Sequence, residues 1–145
     1  MTNLASLVIL CVIIVESLIV FSGNIFTIFV FWRHRNRLKR TSFLLINLAV
    51  ADLLVGFMEP IAIGTIEIPR NIGAVSNRYA QISTASFTAF SSASMFFLVL
   101  ISVERVYALI WPLRHRAASP KGYIYSIFCV WVAGIFVGGW SLLAA

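Results

Sequence analysis

Charged side chains are scarce in this sequence of 145 residues. Only 11% of the residues are Asp, Glu, Lys or Arg, whereas 61% are hydrophobic and the mean hydropathy is +0.98. Soluble domains carry about 25% charged residues, so this composition excludes an ordinary water-soluble domain. We therefore predict a protein that folds in a lipid bilayer.

Cysteine and histidine are rare as well, with two of each. Cys11 and Cys129 lie in hydrophobic runs at depths that differ by about 10 Å, beyond the ~7 Å between Cα atoms that a disulfide spans. His34 and His115 lie in basic segments, without the spacing of a metal site. No residues resemble a nucleophilic or hydrolytic centre, and we predict that the chain is not an enzyme.

Four long hydrophobic runs are present instead. A hydrocarbon core of about 30 Å needs roughly 20 apolar residues in each spanning helix. Runs of that length lie at about residues 4–32, 42–66, 80–110 and 123–145. The first run lacks a basic leader and a small-residue cleavage site, which favours a retained helix over a signal peptide. The predicted fold is all-α, a membrane bundle of four transmembrane helices in one domain, 1–145.

The basic residues predict the orientation of these spans. Nine of the eleven lie between the first and second spans or at and after the end of the third, and only Arg70 and Arg78 lie between the second and third. Short loops rich in Lys and Arg stay in the cytoplasm. The N-terminus is therefore predicted to be extracellular. The net charge of +6 then reflects topology, and we expect no binding of nucleic acid.

One carboxylate lies near the middle of a predicted span. Asp52 is about ten residues inside the second span, too deep to reach either membrane surface easily, so it needs a partner within the bundle. Asn24 lies at a matching depth in the first span, and a hydrogen bond or shared water between the two is expected. The alternative is a clamp that only holds two helices together, contributing roughly 0.6 to 2 kcal/mol.

Four short motifs resemble those of the rhodopsin-like G-protein-coupled receptors. They are Gly23-Asn24, the NLAVAD segment at 47–52, Glu104-Arg105 followed by Trp111-Pro112-Leu113, and Trp131 in the fourth span. The resemblance covers the first four helices of a seven-helix fold, so the chain is interpreted as a fragment. It implies a multi-pass plasma-membrane receptor that passes an extracellular ligand signal to a heterotrimeric G protein.

The resemblance also implies an activation switch at the cytoplasmic end of the third span. Arg105 is expected to pair with Glu104 in the closed receptor and to turn toward the G protein in the open one, with Pro112 and Leu113 completing the coupling segment. The alternative is a charge pair that only anchors the helix end. Val106 departs from the aromatic residue that is usual after this arginine.

A polar network inside the membrane is implied in the same way. It comprises Asn24, Asp52, Ser94 and Trp131, and a sodium ion is expected on Asp52 and Ser94 with Asn24 in support through water. An ion with oxygen ligands would keep the carboxylate ionised in a dry bundle.

Two further departures concern the extracellular half. Ala80 stands where the family usually has a cysteine, so that disulfide cannot form, and Phe87 stands where amine receptors have an aspartate. A biogenic amine is therefore disfavoured, and the ligand stays open. The residues that we predict to contact a ligand are Glu59, beside the helix-kinking Pro60, and Ser83, Phe87, Phe90 and Ser91.

Two other classes of membrane protein are alternatives for this sequence. A transporter or channel fragment would show broken helices or inverted repeats, which the spans lack. A four-helix membrane adaptor would use the helices for packing alone. Glu16 has no assigned role in any of these.

The orientation can be tested by labelling intact cells. Asn71→Cys lies in a predicted extracellular segment and should react with an impermeant thiol reagent, whereas Asn36→Cys should react only after permeabilisation. The unsubstituted chain gives the background from Cys11 and Cys129. Reversed labelling of the two variants would contradict the predicted topology.

Overall fold

The computed structural model describes residues 4–34, 40–72, 77–117 and 120–144, and nearly all of them are helical. Only His34 and Trp111 lie outside a helix in these ranges. The helices are α1 Leu4–Arg33, α2 Arg40–Ile72, α3 Asn77–Ile110, α4 Pro112–Ala117 and α5 Pro120–Ala144.

Four of the five helices are long and apolar enough to cross a membrane. The qualifying stretches are Leu7–Arg33, Ser42–Thr65, Arg78–Ile110 and Lys121–Leu143, which belong to α1, α2, α3 and α5. No strand occurs in the described part of the chain. The predicted fold class, an all-α membrane bundle with four transmembrane helices of a seven-transmembrane fold, is confirmed.

The second long helix extends beyond its apolar run. It was predicted to end near residue 66 and ends at Ile72, while α3 begins at Asn77 where residue 80 was predicted. Hydropathy marks the part of a helix that suits the bilayer, and the hydrogen-bonded backbone can continue past it. The helix is also continuous through Pro60.

A one-residue break separates α3 from the short helix α4. Pro112 has no N–H and disfavours a helical conformation at the residue before it, so Trp111 lies outside both helices. Pro112 then suits the first position of α4. The Trp111 N–H donates to Tyr107 O at 3.0 Å and the His115 N–H donates to Trp111 O at 2.9 Å. These two hydrogen bonds run across the break and join α4 to the end of α3.

Side-chain contacts show that α2 and α3 run antiparallel. Thr65, late in α2, contacts Ser83 near the start of α3, and Asp52, earlier in α2, contacts Ser94 further along α3. Asn47, near the start of α2, contacts Trp131 near the middle of α5. The helix α3 packs against α2, α4 and α5, while α1 packs against α2. The bundle is therefore organised around α3.

Two glycines allow α5 to approach α3 closely. A Cβ atom at Gly138 would lie 2.6 Å from Ala85 O and 2.5 Å from Ala89 Cβ, and one at Gly134 would lie 2.8 Å from Ala89 O. These separations are too short for any side chain, and the nearest atoms belong partly to the rigid backbone of α3. Small residues on both helices thus set the spacing between α3 and α5, as is common between membrane helices.

Candidate functional site

Two groups of polar side chains are candidates for function. One lies in the middle of the bundle, and the other lies at the end that carries Arg33, Arg114 and Lys121, which we call the basic end. At this end α1 finishes, α2 and α5 begin, and α3 finishes. Both groups join elements that are distant in sequence.

The Asp52 carboxylate and the Ser94 hydroxyl form a direct hydrogen bond. Ser94 Oγ donates to Asp52 Oδ1, and both side chains are half-buried. Asp52 lies near the middle of α2 and Ser94 near the middle of α3, so the antiparallel packing brings them to the same depth. The hydroxyl supplies one of the partners that an acid needs inside a membrane.

A second polar contact joins α2 to α5. Trp131 Nε1–H donates to Asn47 Oδ1 at 3.2 Å, and Asn47 Nδ2 donates to Phe43 O at 2.9 Å. The Trp131 ring also packs edge-on against Phe97 of α3, with ring centroids 5.8 Å apart and an interplanar angle of 71°. Phe97 is 0% exposed. Trp131 therefore contacts α2 and α3 at once.

Asn24 differs from its predicted arrangement. Its Nδ2 donates to Val20 O, one turn earlier in α1, at 2.9 Å. In the described ranges no hydrogen bond joins Asn24 to Asp52, and none joins Trp131 to Asp52. Of the four residues that were predicted to form one network, only Asp52 and Ser94 contact each other, whereas Trp131 bonds to Asn47 and Asn24 bonds within its own helix. An asparagine side chain in a helix can donate to the carbonyl one turn earlier, and Asn24 does so instead of donating to Asp52.

The donor atoms at Asp52 and Ser94 suit a hard cation. A carboxylate and a hydroxyl oxygen lie together, which is the ligand type that such ions take. Among the described residues no group of three or more His, Cys, Asp or Glu side chains could hold a metal. One carboxylate and one hydroxyl therefore fit a monovalent cation at this position. The described ranges hold no set of ligands for a zinc site.

Glu104 is buried at the basic end, where its carboxylate contacts two other elements. Its Oε1 lies 2.7 Å from His115 Nε2 of α4 and 3.4 Å from the Tyr123 hydroxyl of α5, which donates to it. Tyr123 Oη also lies 3.2 Å from His115 Nε2. Because a carboxylate has no hydrogen to give, His115 Nε2 carries the hydrogen in this contact. We call Glu104, His115 and Tyr123 the Glu104 cluster.

The Arg105 side chain lies at the edge of this cluster and is mostly exposed. Its Nε lies 3.9 Å from Glu104 Oε2, at the long end of ion-pair distances, and its side chain is 64% exposed compared with 7% for Glu104. Pro112 and Leu113 are exposed on α4. A permanently charged guanidinium and an apolar side chain are therefore both accessible at the basic end.

A cavity of about 340 Å³ lies next to the Glu104 cluster. Its wall includes Leu44 of α2, Leu100 and Val103 of α3, and Tyr123 of α5, together with Glu104. The cavity lies beside the Glu104 carboxylate, between α2, α3 and α5.

The residues predicted to contact a ligand lie toward the opposite end of the bundle. Ser83 is buried, and its hydroxyl donates to Ala80 O at 3.0 Å and lies 2.9 Å from Thr65 Oγ1 of α2. The Ser83 hydroxyl is thus engaged in packing α3 against α2. Glu59, Phe87, Phe90 and Ser91 are half-buried.

Sequence reasoning missed the partners of Glu104, Ser83 and Trp131. His115 was assigned only to a basic segment, and Tyr123 and Thr65 were not singled out. One signal was available, since positions 104 and 115 differ by eleven residues, or about three helical turns, and so share a face of a continuing helix. The proline at 112 obscured it, because a helix end was predicted there.

Comparison with known proteins gives one receptor family and relatives that are all named as receptors. The sequence pattern of the family 7 transmembrane receptor (rhodopsin family) matches residues 23–144. The chain is 33% identical over 137 residues to 5-hydroxytryptamine receptor 2B of Dichotomyctere fluviatilis, covering 93% of this chain and 28% of that protein. It is 28% identical over 121 residues to human growth hormone secretagogue receptor type 1, covering 81% of this chain and 32% of that receptor.

A further relative is an allatostatin-A receptor of Bombyx mori. It is 30% identical over 112 residues, which cover 76% of this chain and 30% of the relative. The chain therefore spans about a third of the length of the curated relatives it matches. Residues 23–144, which the family pattern matches, include every member of both polar groups. The chain belongs to the rhodopsin family of seven-transmembrane receptors.

Proposed function

We propose that these residues form the first part of a receptor that passes an extracellular ligand signal to a heterotrimeric G protein. The observation that carries this proposal is the exposed Arg105 beside the buried Glu104 at the basic end of the bundle. The basic end is the cytoplasmic end in this proposal, and the N-terminus is extracellular, because short basic loops stay in the cytoplasm. The receptor resides in the plasma membrane.

The chemistry of Arg105 suits a contact that changes with the state of the receptor. Its guanidinium stays charged at any physiological pH and presents several N–H donors in one plane. In the closed receptor it lies near Glu104, and in the open receptor it turns to carbonyl or carboxylate groups of the G protein. The exposed Leu113 on α4 gives the same partner an apolar contact. A ligand shifts the equilibrium only by binding the open state more tightly.

The extracellular half supports a ligand site on α2 and α3 that does not use a carboxylate on α3. Phe87 offers an aromatic surface in this half of α3. Among the described side chains of α2, Glu59 is the acid nearest to the extracellular end of the helix. The relatives include receptors named for 5-hydroxytryptamine, for growth hormone secretagogues and for allatostatin-A. A biogenic amine remains disfavoured in this proposal, and the proposed ligand contacts are Glu59, Ser83, Phe87, Phe90 and Ser91.

A sodium ion is proposed at Asp52 and Ser94. When bound, the ion neutralises the buried carboxylate, and it favours the closed receptor because it holds α2 and α3 together at mid-membrane. The adjacent oxygens of the two side chains support this assignment. Asn24 has no direct contact with Asp52, so its proposed support would pass through water.

Coupling is tested in the seven-helix receptor that carries these residues. Arg105→Ala should lower ligand-stimulated nucleotide exchange on the G protein by at least about tenfold at unchanged surface expression, since the charged contact is lost. Glu104→Gln should raise ligand-free exchange, because a neutral amide holds Arg105 less strongly. Arg114→Ala, at another exposed arginine of the same end, is the matched control. Exchange in both variants at the level of the unsubstituted receptor would reduce the pair to an anchor.

Sodium dependence is tested by ligand binding at constant ionic strength. Replacing a large organic cation with sodium should lower agonist affinity about fivefold, and both Asp52→Asn and Ser94→Ala should remove that dependence. Ser102→Ala is the control, because the Ser102 hydroxyl bonds to Leu98 O in its own helix. An agonist affinity that ignores sodium in the unsubstituted receptor would leave Asp52 as a helix clamp.

A further inference from the structure

Ser17 of α1 carries a buried hydroxyl that the bundle does not use. The residue is 7% exposed, and its Oγ has no hydrogen-bonding partner among the described residues. Other serines in the spans donate to a carbonyl of their own helix: Ser22, Ser86, Ser102 and Ser126. A hydroxyl without a partner is costly inside a bilayer, so Ser17 marks a position at which a further polar group binds.

The neighbouring turn of α2 offers a matching acceptor. Pro60 has no N–H, so the carbonyl of Gly56, four residues earlier, lacks the donor that completes an ordinary helical turn. Gly56 packs directly on α1, since a Cβ atom there would lie 3.3 Å from Val20 Cγ1 and 3.6 Å from Ser17 O. An unused hydroxyl on α1 and a carbonyl without its helical donor on α2 therefore lie at the same level.

Both groups belong to the wall of one groove between α1 and α2. The groove has a volume of about 330 Å³, and Ser17, Gly56 and Pro60 are part of its wall. The other wall residues are apolar and exposed: Ile14, Leu18, Phe21, Phe57 and Ile61. The groove is thus an apolar surface with one small polar patch at Ser17 and Gly56.

The groove opens away from the polar centre of the bundle. A helix turns by roughly 100° per residue, so Phe57 and Ile61 lie roughly 140° and 180° around α2 from Asp52. Asp52 contacts α3. Further helices that pack around the Asp52 face leave the opposite side of α2 to the membrane. The occupant of the groove is therefore a lipid.

The depth of the two polar groups selects the kind of lipid. Ser17 lies about 15 Å from the start of the apolar stretch Leu7–Arg33, and Gly56 lies about 14 Å from the end of Ser42–Thr65. Each stretch exceeds the hydrocarbon core of about 30 Å by about 3 to 5 Å at either end, which places both groups roughly two thirds of the way to the midplane. Ordinary acyl chains carry no polar atom at that depth, whereas a hydroxylated chain does.

We propose that the groove at Ser17, Gly56 and Pro60 binds an acyl chain that carries a hydroxyl group about two thirds of the way along its length. The lipid hydroxyl accepts a hydrogen bond from Ser17 Oγ, which turns to the groove by a change of rotamer, and donates one to the Gly56 carbonyl. The rest of the chain packs on the apolar wall. The head group stays at the membrane surface opposite the basic end.

Lipid binding is tested by native mass spectrometry on the 145-residue chain in detergent micelles. The probe is octadecanoic acid hydroxylated at its twelfth carbon. The comparison lipids are unsubstituted octadecanoic acid and the isomer hydroxylated at its second carbon, whose hydroxyl stays at the surface. The probe should bind about tenfold more tightly than either, because only its hydroxyl reaches both polar groups. Equal affinities for the three lipids would overturn the proposal.

Substitutions identify the groups that recognise the hydroxyl. Ser17→Ala should remove the preference for the probe and leave the affinity for unsubstituted octadecanoic acid unchanged, whereas Ser17→Thr should keep the preference. Pro60→Ala returns a donor to the Gly56 carbonyl and should lower the preference about threefold. Ser22→Ala is the matched control, because the Ser22 hydroxyl donates to Ile19 O. The ratio of two affinities is insensitive to a general loss of structure, and a preference that survives Ser17→Ala would refute the proposed site.

The same ratio is then measured in the seven-helix receptor that carries these residues. The preference should persist there, because the groove faces away from Asp52. A preference that is present in the 145-residue chain and absent from the receptor would mean that another helix covers the groove, which would contradict a lipid as its occupant. No G protein takes part in these measurements, so the proposed coupling stands or falls separately on Arg105.

Discussion

A polar group inside a bilayer must find its hydrogen-bonding partner within the protein, because lipid chains offer none. In this chain several such partnerships cross between helices. Ser94 of α3 donates to Asp52 of α2, and Trp131 of α5 donates to Asn47 of α2. Each pair fixes the relative depth of two helices, since a slip of one turn would leave an acid or an amide facing lipid. The polar contacts therefore align the helices, whose apolar surfaces alone would pack at several depths.

Close packing of α3 and α5 makes the contacts at the basic end possible. The glycines at 134 and 138 bring the two backbones together, and nearer the start of α5 the Tyr123 hydroxyl then reaches Glu104. Larger residues at the glycines would push α5 outward and remove Tyr123 from the carboxylate. The geometry of the proposed coupling segment thus depends on two glycines that lie more than ten positions after Tyr123 and carry no polar side chain.

The membrane spans and the resembled family were predictable from sequence because each depends on local features. Hydropathy over twenty residues marks a span, and short motifs at fixed spacings mark the family. Pairing was harder to predict. Asn47 and Trp131 are 84 residues apart, so their contact follows only from the packed bundle. Asn24 was assigned to Asp52 by depth alone, yet it bonds to Val20 O, because depth does not say which way a side chain points. His115 was obscured by the proline that begins α4.

The central claim is that interhelical hydrogen bonds align this bundle, and a double-mutant cycle on Asp52 and Ser94 tests it most directly. The free energy of unfolding in micelles is measured for Asp52→Ala, Ser94→Ala and the double variant, with Ser102→Ala replacing Ser94→Ala as the control. The account predicts an interaction free energy of roughly 0.6 to 2 kcal/mol between positions 52 and 94 and none between positions 52 and 102. Additive effects at positions 52 and 94 would contradict it.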